Sequence, residues 1–488
     1  MNLTNLIIMD RLISNKKIHW WMWGTWTILA VLLFGCFPLS PFGEQIPMGD
    51  QVIYITISQW MREGLVMYRD MFDHKGLAIY WFNIAGLELG GLTGVWILTV
   101  IWAIMTTWGT YKVCRLFSGK NSSFIASLFF ILMLTRSSSN DSPEMVAMPF
   151  LAIGYYYMLK TLIEKKIPNF FQMFVTALGF GIVLLLKPNL AAGLAFLILI
   201  HFIRICKNFE SVKFYMFLIG SIIGLLVPLG TALYYILSNG IWTDFVSTFL
   251  YFNMEYSSTM TFAQRMIAFV KLVFYYPPSL IMWIFSVFIV PVMIKSGEWN
   301  KLWPVLVAHV ALLIFSVNMS GYASGLYILP LLPLYAIYIA RFFDWAKGTL
   351  RYGGFIILAI YLSYIGFRSV LEYMNCDPWW PKDTISKSLI TYIEKNTDKE
   401  DTFTFYPCGP MFPYYATGRH SPSKYLYHSP IFDVRPSMRD EYFDDLRKNK
   451  PLLIFVFKDH DDRLPDDLMK MYKKTDSPIE SAFVYRLI

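Results

Sequence analysis

The sequence has little charge. Asp, Glu, Lys and Arg together make up 16% of its 488 residues, whereas hydrophobic residues make up 56%. A soluble domain typically has about 25% charged residues and about 45–50% apolar ones. The apolar excess lies in runs of about 17–25 residues, the length that spans a hydrocarbon core roughly 30 Å thick. The composition therefore excludes an ordinary soluble protein and predicts an α-helical protein that crosses a membrane several times.

Cysteine is also scarce, and several familiar catalytic signatures are missing. None of the five cysteines forms a CxxC pair or another spacing typical of a metal site. A disulfide between Cys376 and Cys408 requires their region to lie outside the cytoplasm. The sequence has no Walker, GxGxxG, HExxH or GxSxG motif, which disfavours nucleotide-driven chemistry. Any group that this protein transfers would have to arrive already activated.

Eleven apolar runs predict the membrane-spanning helices. They cover residues 19–39, 93–117, 122–136, 143–163, 168–187, 189–205, 212–238, 267–294, 303–318, 326–345 and 351–371. A further stretch, 79–91, predicts a partial helix that leads into the second span. Lys187-Pro188-Asn189 separates two nearly continuous runs and predicts a tight turn. The first run is longer than the core of a signal peptide, so we expect it to be retained.

The distribution of positive charge predicts the orientation of the chain. The net charge is +8, but the basic residues cluster at the ends of the apolar runs, which indicates topology rather than binding to nucleic acid. If the N-terminus is cytoplasmic, seventeen Lys and Arg fall on the cytoplasmic side and six fall in the short loops opposite. We therefore predict a multi-pass protein of the plasma membrane, with residues 40–80 and the C-terminal region outside the cytoplasm.

The C-terminal region, residues 372–488, differs in character from the rest of the chain. It is charged, and short strand patterns alternate with helical ones. Strands are predicted at 401–407, 451–458 and 481–488, and helices at 386–397, 437–449 and 464–474. This alternation predicts a small extracytoplasmic α/β domain that follows a transmembrane domain of residues 1–371.

The polar segment 43–80, which follows the first apolar run, is the most informative stretch. It gathers nine Asp, Glu, Lys, Arg and His residues in a chain that has little charge: Glu44, Asp50, Arg62, Glu63, Arg69, Asp70, Asp73, His74 and Lys75. Asp50 is expected near the membrane surface, and Tyr54 and Ser58 follow it at helical spacing, which predicts an amphipathic helix along the interface. The Asp50 carboxylate is a candidate general base. The alternative interpretation is a helix N-cap.

The most highly charged part of this segment is 68–76, which reads YRDMFDHKG. Asp70, Asp73 and His74 are candidate ligands of a divalent metal ion. Lys75 and Arg69 are candidate ligands of a phosphate. Gly76 allows the backbone to approach another segment closely. The alternative is a solvated loop whose charges pair with one another.

Polar residues also stand at the ends of two predicted spans. Asn140 and Glu144 flank the start of the span 143–163, where an acid is costly in the membrane and often functional. Glu144 also suits the helix dipole in that position. Lys187 and Asn189 belong to the predicted turn between two spans, where a lysine side chain also reaches the interface by snorkelling.

These features resemble those of a known superfamily. An Asp after the first span, followed by YRDMFDHKGLAIYWF before the second, is similar to the C-type (GT-C) integral-membrane glycosyltransferases, in particular the protein mannosyltransferase and aminoarabinose transferase group and its bacterial relatives. The resemblance implies a sugar donor carried on a polyprenyl phosphate. It also implies that Asp50 is catalytic, that Lys75 faces the lipid phosphate, and that Asn140 and Glu144 match an N-x-x-x-E element. The sequence departs from the family pattern at Gly76-Leu77, where relatives have Pro-Pro or Gly-Pro.

The resemblance predicts an inverting glycosyltransferase of the cell envelope. Asp50 would take the proton from an acceptor hydroxyl, and Lys75, with Arg69 or Lys187, would stabilise the leaving phosphate. The residues expected to support the substrates are Asp73, His74, Tyr54, Asn140, Glu144 and Asn189. No cofactor is certain, and a divalent metal ion is one alternative. A lipid flippase or transporter and a non-catalytic anchoring protein are the rival functions, but no internal repeat of the transporter kind is evident.

Overall fold

The structure is a computed structural model of the chain. It describes residues 20–35, 37–47, 49–137, 141–207, 209–275, 277–318, 324–373, 384–407, 409–458 and 464–488. Asn140, Cys376 and Cys408 lie outside these described residues, so the predictions made for them are not addressed by the structure.

Helices dominate the chain up to Tyr373. They are α1 (Trp20–Phe34), α2 (Asp50–Arg62), α3 (Leu77–Cys114), α4 (Lys120–Ser137), α5 (Pro143–Ile163), α6 (Phe170–Leu186), α7 (Ala192–Lys207), α8 (Ser211–Ser238), α9 (Trp242–Phe245), α10 (Asn253–Ser258), α11 (Phe262–Val270), α12 (Pro277–Lys295), α13 (Trp299–Leu312), α14 (Leu332–Trp345) and α15 (Gly348–Tyr373). Short 3₁₀ segments lie at Pro188–Ala191 and Gly325–Leu331, and π-helical turns lie at Val246–Phe252, Lys271–Tyr275 and Leu313–Asn318. Each of the eleven predicted spans overlaps a helix, namely α1, α3 to α8 and α12 to α15. The predicted span 267–294 also includes the end of α11 and the π-helical turn Lys271–Tyr275.

Several of these helices have the length and composition of membrane spans. Within the described residues, six helical segments are long and apolar enough to cross a membrane, and four shorter helices are also apolar. The outward face of α8 shows why these helices suit lipid rather than water, because large apolar side chains stand exposed along it: Ile222, Leu226, Leu233 and Leu237. The chain is therefore a multi-pass membrane protein.

The second span is a kinked helix. The helix α3 begins at Leu77, as the predicted partial helix requires, and its backbone leaves helical geometry at Gly90 and Gly91 before continuing to Cys114. Gly91 has φ +61° and ψ −143°, a conformation that is essentially restricted to glycine. The kink therefore depends on the glycine pair rather than on a proline.

Replacing Gly91 with alanine is expected to destabilise the protein by about 1–3 kcal/mol, because a Cβ strains this backbone conformation. A Cβ added at Gly91 or at Gly353 would have no other atom within 4 Å, so steric contact does not separate the two sites. Gly353 lies within α15 and has no positive φ, which makes Gly353→Ala the matched control. Denaturation of both variants in detergent measures the difference, and equal stabilities would contradict the strain argument.

The C-terminal region contains a four-stranded mixed sheet. Its strands are β1 (Phe403–Tyr406), β2 (Leu453–Phe457), β3 (Tyr472–Thr475) and β4 (Ala482–Leu487), in the order β1-β2-β4-β3. The pair β1 and β2 is parallel, and the other pairs are antiparallel. Its helices are α16 (Thr384–Asn396), α17 (Phe412–Thr417), α18 (Ile431–Val434), α19 (Ser437–Asn449) and α20 (Asp466–Met469). This arrangement confirms the predicted α/β character.

One predicted element of this region is wrong. The sequence pattern predicts a helix over 464–474, but the helix α20 ends at Met469 and Tyr472–Thr475 forms the edge strand β3. Tyr472 pairs with Leu487 and Thr475 pairs with Val484. Pairing with the last strand of the chain therefore overrides the local helical preference, as long-range contacts commonly do.

The helix α2 does not lie on a surface with one exposed face. Residues 51–58 are all buried, and so is Trp60. The C-terminal region covers its end, because Trp60 packs edge-to-face on Tyr414 and His420 at ring-centroid distances of 5.8 and 5.0 Å. The predicted amphipathic helix therefore exists, but it is enclosed between the helical bundle and the C-terminal region.

Candidate functional site

A cavity of about 850 Å³ lies where the segment 47–75, the start of α5, the turn after α6 and the C-terminal region meet. Most of the residues predicted from the sequence line it: Asp50, Tyr54, Asp73, His74, Lys75, Glu144, Lys187 and Asn189. Among these predicted residues alone, the chain brings together polar groups that are up to 139 positions apart (50 to 189). Arg69 and Asp70 do not line the cavity.

Asp50 is the exposed carboxylate of the cavity. It stands in the first turn of α2, and the hydroxyl of Tyr54 donates to its Oδ2 at 3.4 Å. The N-cap of α2 is Gly49, and no side chain caps the helix there. The alternative interpretation of Asp50 as an N-cap is therefore wrong. The next residue, Gln51, donates to Asp141 at 2.6 Å and ties this turn to the residues that precede α5.

Asp73 is a buried carboxylate with both oxygens engaged. Its side chain is 1% exposed. The hydroxyl of Tyr80 donates to Oδ2 at 2.7 Å, and the hydroxyl of Tyr427 donates to Oδ1 at 2.9 Å. Burial and then the charge of Asp73 raise the pKa of Tyr427, so this hydroxyl keeps the proton that it donates.

His74 stands between Asp73 and Lys75. Its Nε2 lies 2.6 Å from Nζ of Lys75, and its Nδ1 lies 3.6 Å from Oδ1 of Asp73. Burial, followed by the charges of Lys75 and Lys187, lowers the pKa of His74 well below its usual value. The imidazole is therefore neutral at physiological pH.

Gly76 places Lys75 against the end of α6. A Cβ at Gly76 would lie 1.9 Å from the carbonyl oxygen of Leu185, so no larger residue fits. The Gly76 amide donates to the carbonyl of Leu186 at 3.3 Å. The predicted close approach at Gly76 is confirmed, and it brings Lys75 into the same cavity wall as Lys187.

Glu144 and Lys187 form an ion pair in this wall. Nζ of Lys187 lies 2.8 Å from Oε1 of Glu144, which is 3% exposed, and 4.2 Å from the ring centroid of Tyr327. Lys187 follows α6 in an extended conformation and precedes the 3₁₀ turn Pro188–Ala191, which confirms the predicted turn. The pair, rather than snorkelling, accounts for Lys187. Asn189 follows it in the turn and also lines the cavity.

Arg69 and Asp70 engage each other outside the cavity. Nε of Arg69 lies 3.0 Å from Oδ1 of Asp70, and Oδ2 of Asp70 accepts from the amide of Val66 at 2.7 Å. Arg69 is thus not placed to contact a phosphate in the cavity. Across the part of the chain that the structure describes, no three His, Cys, Asp or Glu side chains gather as metal ligands do, and Asp70 does not join Asp73 and His74.

Segments that are distant in the chain contribute groups to the site that the local sequence patterns do not predict. Tyr427 enters from the C-terminal region, Asn253 donates to the carbonyl of His74 at 2.7 Å, and Tyr256 stacks on the His74 ring at 5.5 Å. Tyr327 stands out in the sequence only as the flank of a Gly/Ser-rich turn. The aromatic segment 425–428, which reads YLYH, was the one available signal for Tyr427.

The chain has a GT-C-like fold. Two solved structures share it. One is ArnT from Cupriavidus metallidurans bound to undecaprenyl phosphate, with a TM-score of 0.63, 11% identity, and coverage of 94% of this chain and 96% of that chain. The other is the apo state of the same protein, with a TM-score of 0.63, 12% identity, and coverage of 99% and 98%. No family model and no curated protein matches the sequence, so the similarity establishes the fold and leaves the activity to the site.

Proposed function

We propose that the chain is an inverting glycosyltransferase that moves a hexose or pentose from a polyprenyl-phosphate donor to an acceptor of the cell envelope. The observation that supports this proposal is that the cavity contains both an exposed carboxylate and a lysine without an ion-pair partner in the described part of the chain. Asp50 offers an exposed carboxylate, and Lys75 makes no ion pair within the described residues. A base and an unneutralised cation in one cavity are what a sugar acceptor and a phosphate leaving group require. The ArnT structure holds undecaprenyl phosphate in the same fold.

The mechanism assigns one role to each charged group. Asp50 takes the proton from the acceptor hydroxyl as the oxygen attacks the anomeric carbon. The bond between that carbon and the phosphate oxygen breaks, and Lys75 stabilises the charge that develops on the phosphate. Asp73 and Glu144 are poorer candidates for the base, because tyrosine hydroxyls and Lys187 already hold their oxygens. A single displacement inverts the anomeric configuration.

The orientation belongs to the same proposal. The excess of Lys and Arg in alternate loops supports a cytoplasmic N-terminus, and we place the protein in a bacterial plasma membrane. The cavity and the C-terminal domain, residues 372–488, then face outward, and residues 1–371 form the transmembrane domain. This orientation suits the chemistry, because a donor sugar that arrives on a lipid phosphate needs no nucleotide outside the cell.

A radiolabelled assay tests the function. It measures how much sugar the purified protein in detergent releases from a polyprenyl-phosphate hexose or pentose. Release that requires the acceptor supports a transferase. Binding of the lipid without turnover, across several donors, would favour the rival flippase or transporter.

The same assay with EDTA tests whether turnover requires a divalent metal ion, which stays a prediction. Loss of turnover that added Mg²⁺ or Mn²⁺ restores would establish it.

Lys75→Ala is expected to weaken binding of undecaprenyl phosphate by at least about tenfold, because a charge-assisted hydrogen bond is worth roughly 1.5–3 kcal/mol. Isothermal titration in detergent measures the dissociation constant. Lys160→Ala is the matched control, because Lys160 stands in the last turn of α5, outside the cavity. Unchanged affinity in Lys75→Ala would show that the lipid phosphate does not bind at Lys75.

A further inference from the structure

The C-terminal region contributes a hydroxyl to the polar wall of the cavity. The amide of Phe72 donates to the carbonyl of Lys424 at 2.8 Å, which fixes the chain around 424–427 beside the segment that carries Lys75. Tyr427 then reaches Oδ1 of Asp73 at 2.9 Å, and its hydroxyl lies 3.5 Å from Nδ1 of His74. One side chain of the C-terminal region therefore contacts both residues that precede Lys75.

Asp73 links Tyr427 to the rest of the site, because its carboxylate accepts hydrogen bonds from two different elements of the fold. Tyr80, on α3, occupies one carboxylate oxygen, and Tyr427 occupies the other. A carboxylate that is 1% exposed has little access to water, so it loses an essential donor when either hydroxyl is removed. Its position beside His74 thus depends on the C-terminal region.

His74 connects Asp73 to Lys75 through a defined tautomer. An ammonium group only donates, so Nε2, 2.6 Å from Nζ of Lys75, must be the acceptor of the neutral ring. The ring proton is then on Nδ1, which faces Asp73 and Tyr427. The carbonyl of Lys75 is held by the hydroxyl of Tyr68 at 2.8 Å, so the backbone is fixed and the imidazole sets the direction of the side chain.

We propose that Tyr427 is a positioning residue for the lipid phosphate, whose hydroxyl acts through Asp73 and His74 to hold the ammonium of Lys75 toward the cavity. The proposal rests on the proposed role of Lys75 and extends the donor site into the C-terminal region. Tight binding of the donor then requires the C-terminal region to be packed against the cavity, because Tyr427 completes the contacts that orient Lys75. The ligand class is a polyprenyl phosphate, recognised at its phosphate.

Tyr427→Phe removes only the hydroxyl and is expected to weaken binding of undecaprenyl phosphate about tenfold, because the ammonium of Lys75 loses its fixed direction and a hydrogen bond to a charged group is worth roughly a factor of 10–150. Tyr425→Phe is the matched control. Its hydroxyl donates to Glu441 at 2.5 Å, and the residue does not line the cavity, so its affinity is expected to equal that of the wild type. Isothermal titration measures both variants, and their unfolding temperatures show that each is folded.

A double-mutant cycle separates positioning from a general effect on structure. In a His74→Asn background, Tyr427→Phe is expected to have no further effect on affinity, because the connection to Lys75 is already broken. Additive losses, or wild-type affinity in Tyr427→Phe while Lys75→Ala weakens binding, would overturn this inference alone. Normal affinity in Lys75→Ala would instead overturn the phosphate site on which the inference rests.

Discussion

Asp50→Asn is expected to lower the rate of sugar transfer by about 10²–10⁴-fold, the usual cost of removing a positioned general base. The amide keeps the size of the side chain but does not take a proton from the acceptor hydroxyl. Asp50 is exposed to the cavity and touches Tyr54 at 3.4 Å, so the exchange leaves the surrounding structure intact. Affinity for undecaprenyl phosphate is expected to stay within a few fold of the wild type, because Lys75 is unchanged.

Turnover and binding measured on the same preparation distinguish catalysis from folding. Glu88→Gln is the matched control, since Glu88 is an exposed carboxylate that pairs with Arg62 at 2.7 Å and lies outside the cavity. Its turnover is expected to equal that of the wild type. Near-normal turnover in Asp50→Asn would assign the base to another carboxylate, and Asp73 and Glu144 would be the next to replace.

The part of the site that the sequence predicts is the part built from local order. Asp73, His74 and Lys75 are adjacent in the chain, and Asp50 and Tyr54 are one helical turn apart, so a scarcity of charge elsewhere makes them conspicuous. The same scarcity makes Glu144 and Lys187 stand out at the ends of apolar runs. The sequence does not show that these two residues pair, because they lie 43 positions apart and no local pattern predicts a contact over that distance.

The part that the sequence does not predict depends on contacts across the whole chain. Tyr427 meets Asp73 although the two lie 354 positions apart. Tyr472 belongs to a strand only because it pairs with Leu487. Arg69 is the converse case. Its position six residues before Lys75 suggests a shared ligand, but its side chain turns to Asp70. Composition and spacing constrain which residues are candidates, whereas packing decides which of them face the same cavity.

The ion pair between Glu144 and Lys187 carries the largest expected effect on stability. Lys187→Met leaves the carboxylate of Glu144, which is 3% exposed, without its cation. Breaking a buried pair from one side costs about 3–5 kcal/mol, because an uncompensated charge stays buried. We therefore expect Lys187→Met to lower the free energy of unfolding in detergent by that amount. The ring of Tyr327, 4.2 Å from Nζ, adds a contact that the methionine retains in part.

The double variant Glu144→Gln with Lys187→Met is expected to recover much of that loss, since removing both charges also removes the cost of burying them. Lys166→Met supplies the surface control. Lys166 pairs with Glu164 at 2.9 Å, and its side chain is 71% exposed, so its loss is expected to change stability little. Equal stabilities of Lys187→Met and Lys166→Met would contradict this prediction and would show that water compensates the carboxylate of Glu144 without Lys187. Recovery in the double variant would show that the loss in Lys187→Met comes from the uncompensated charge of Glu144 rather than from missing packing between α5 and the turn after α6.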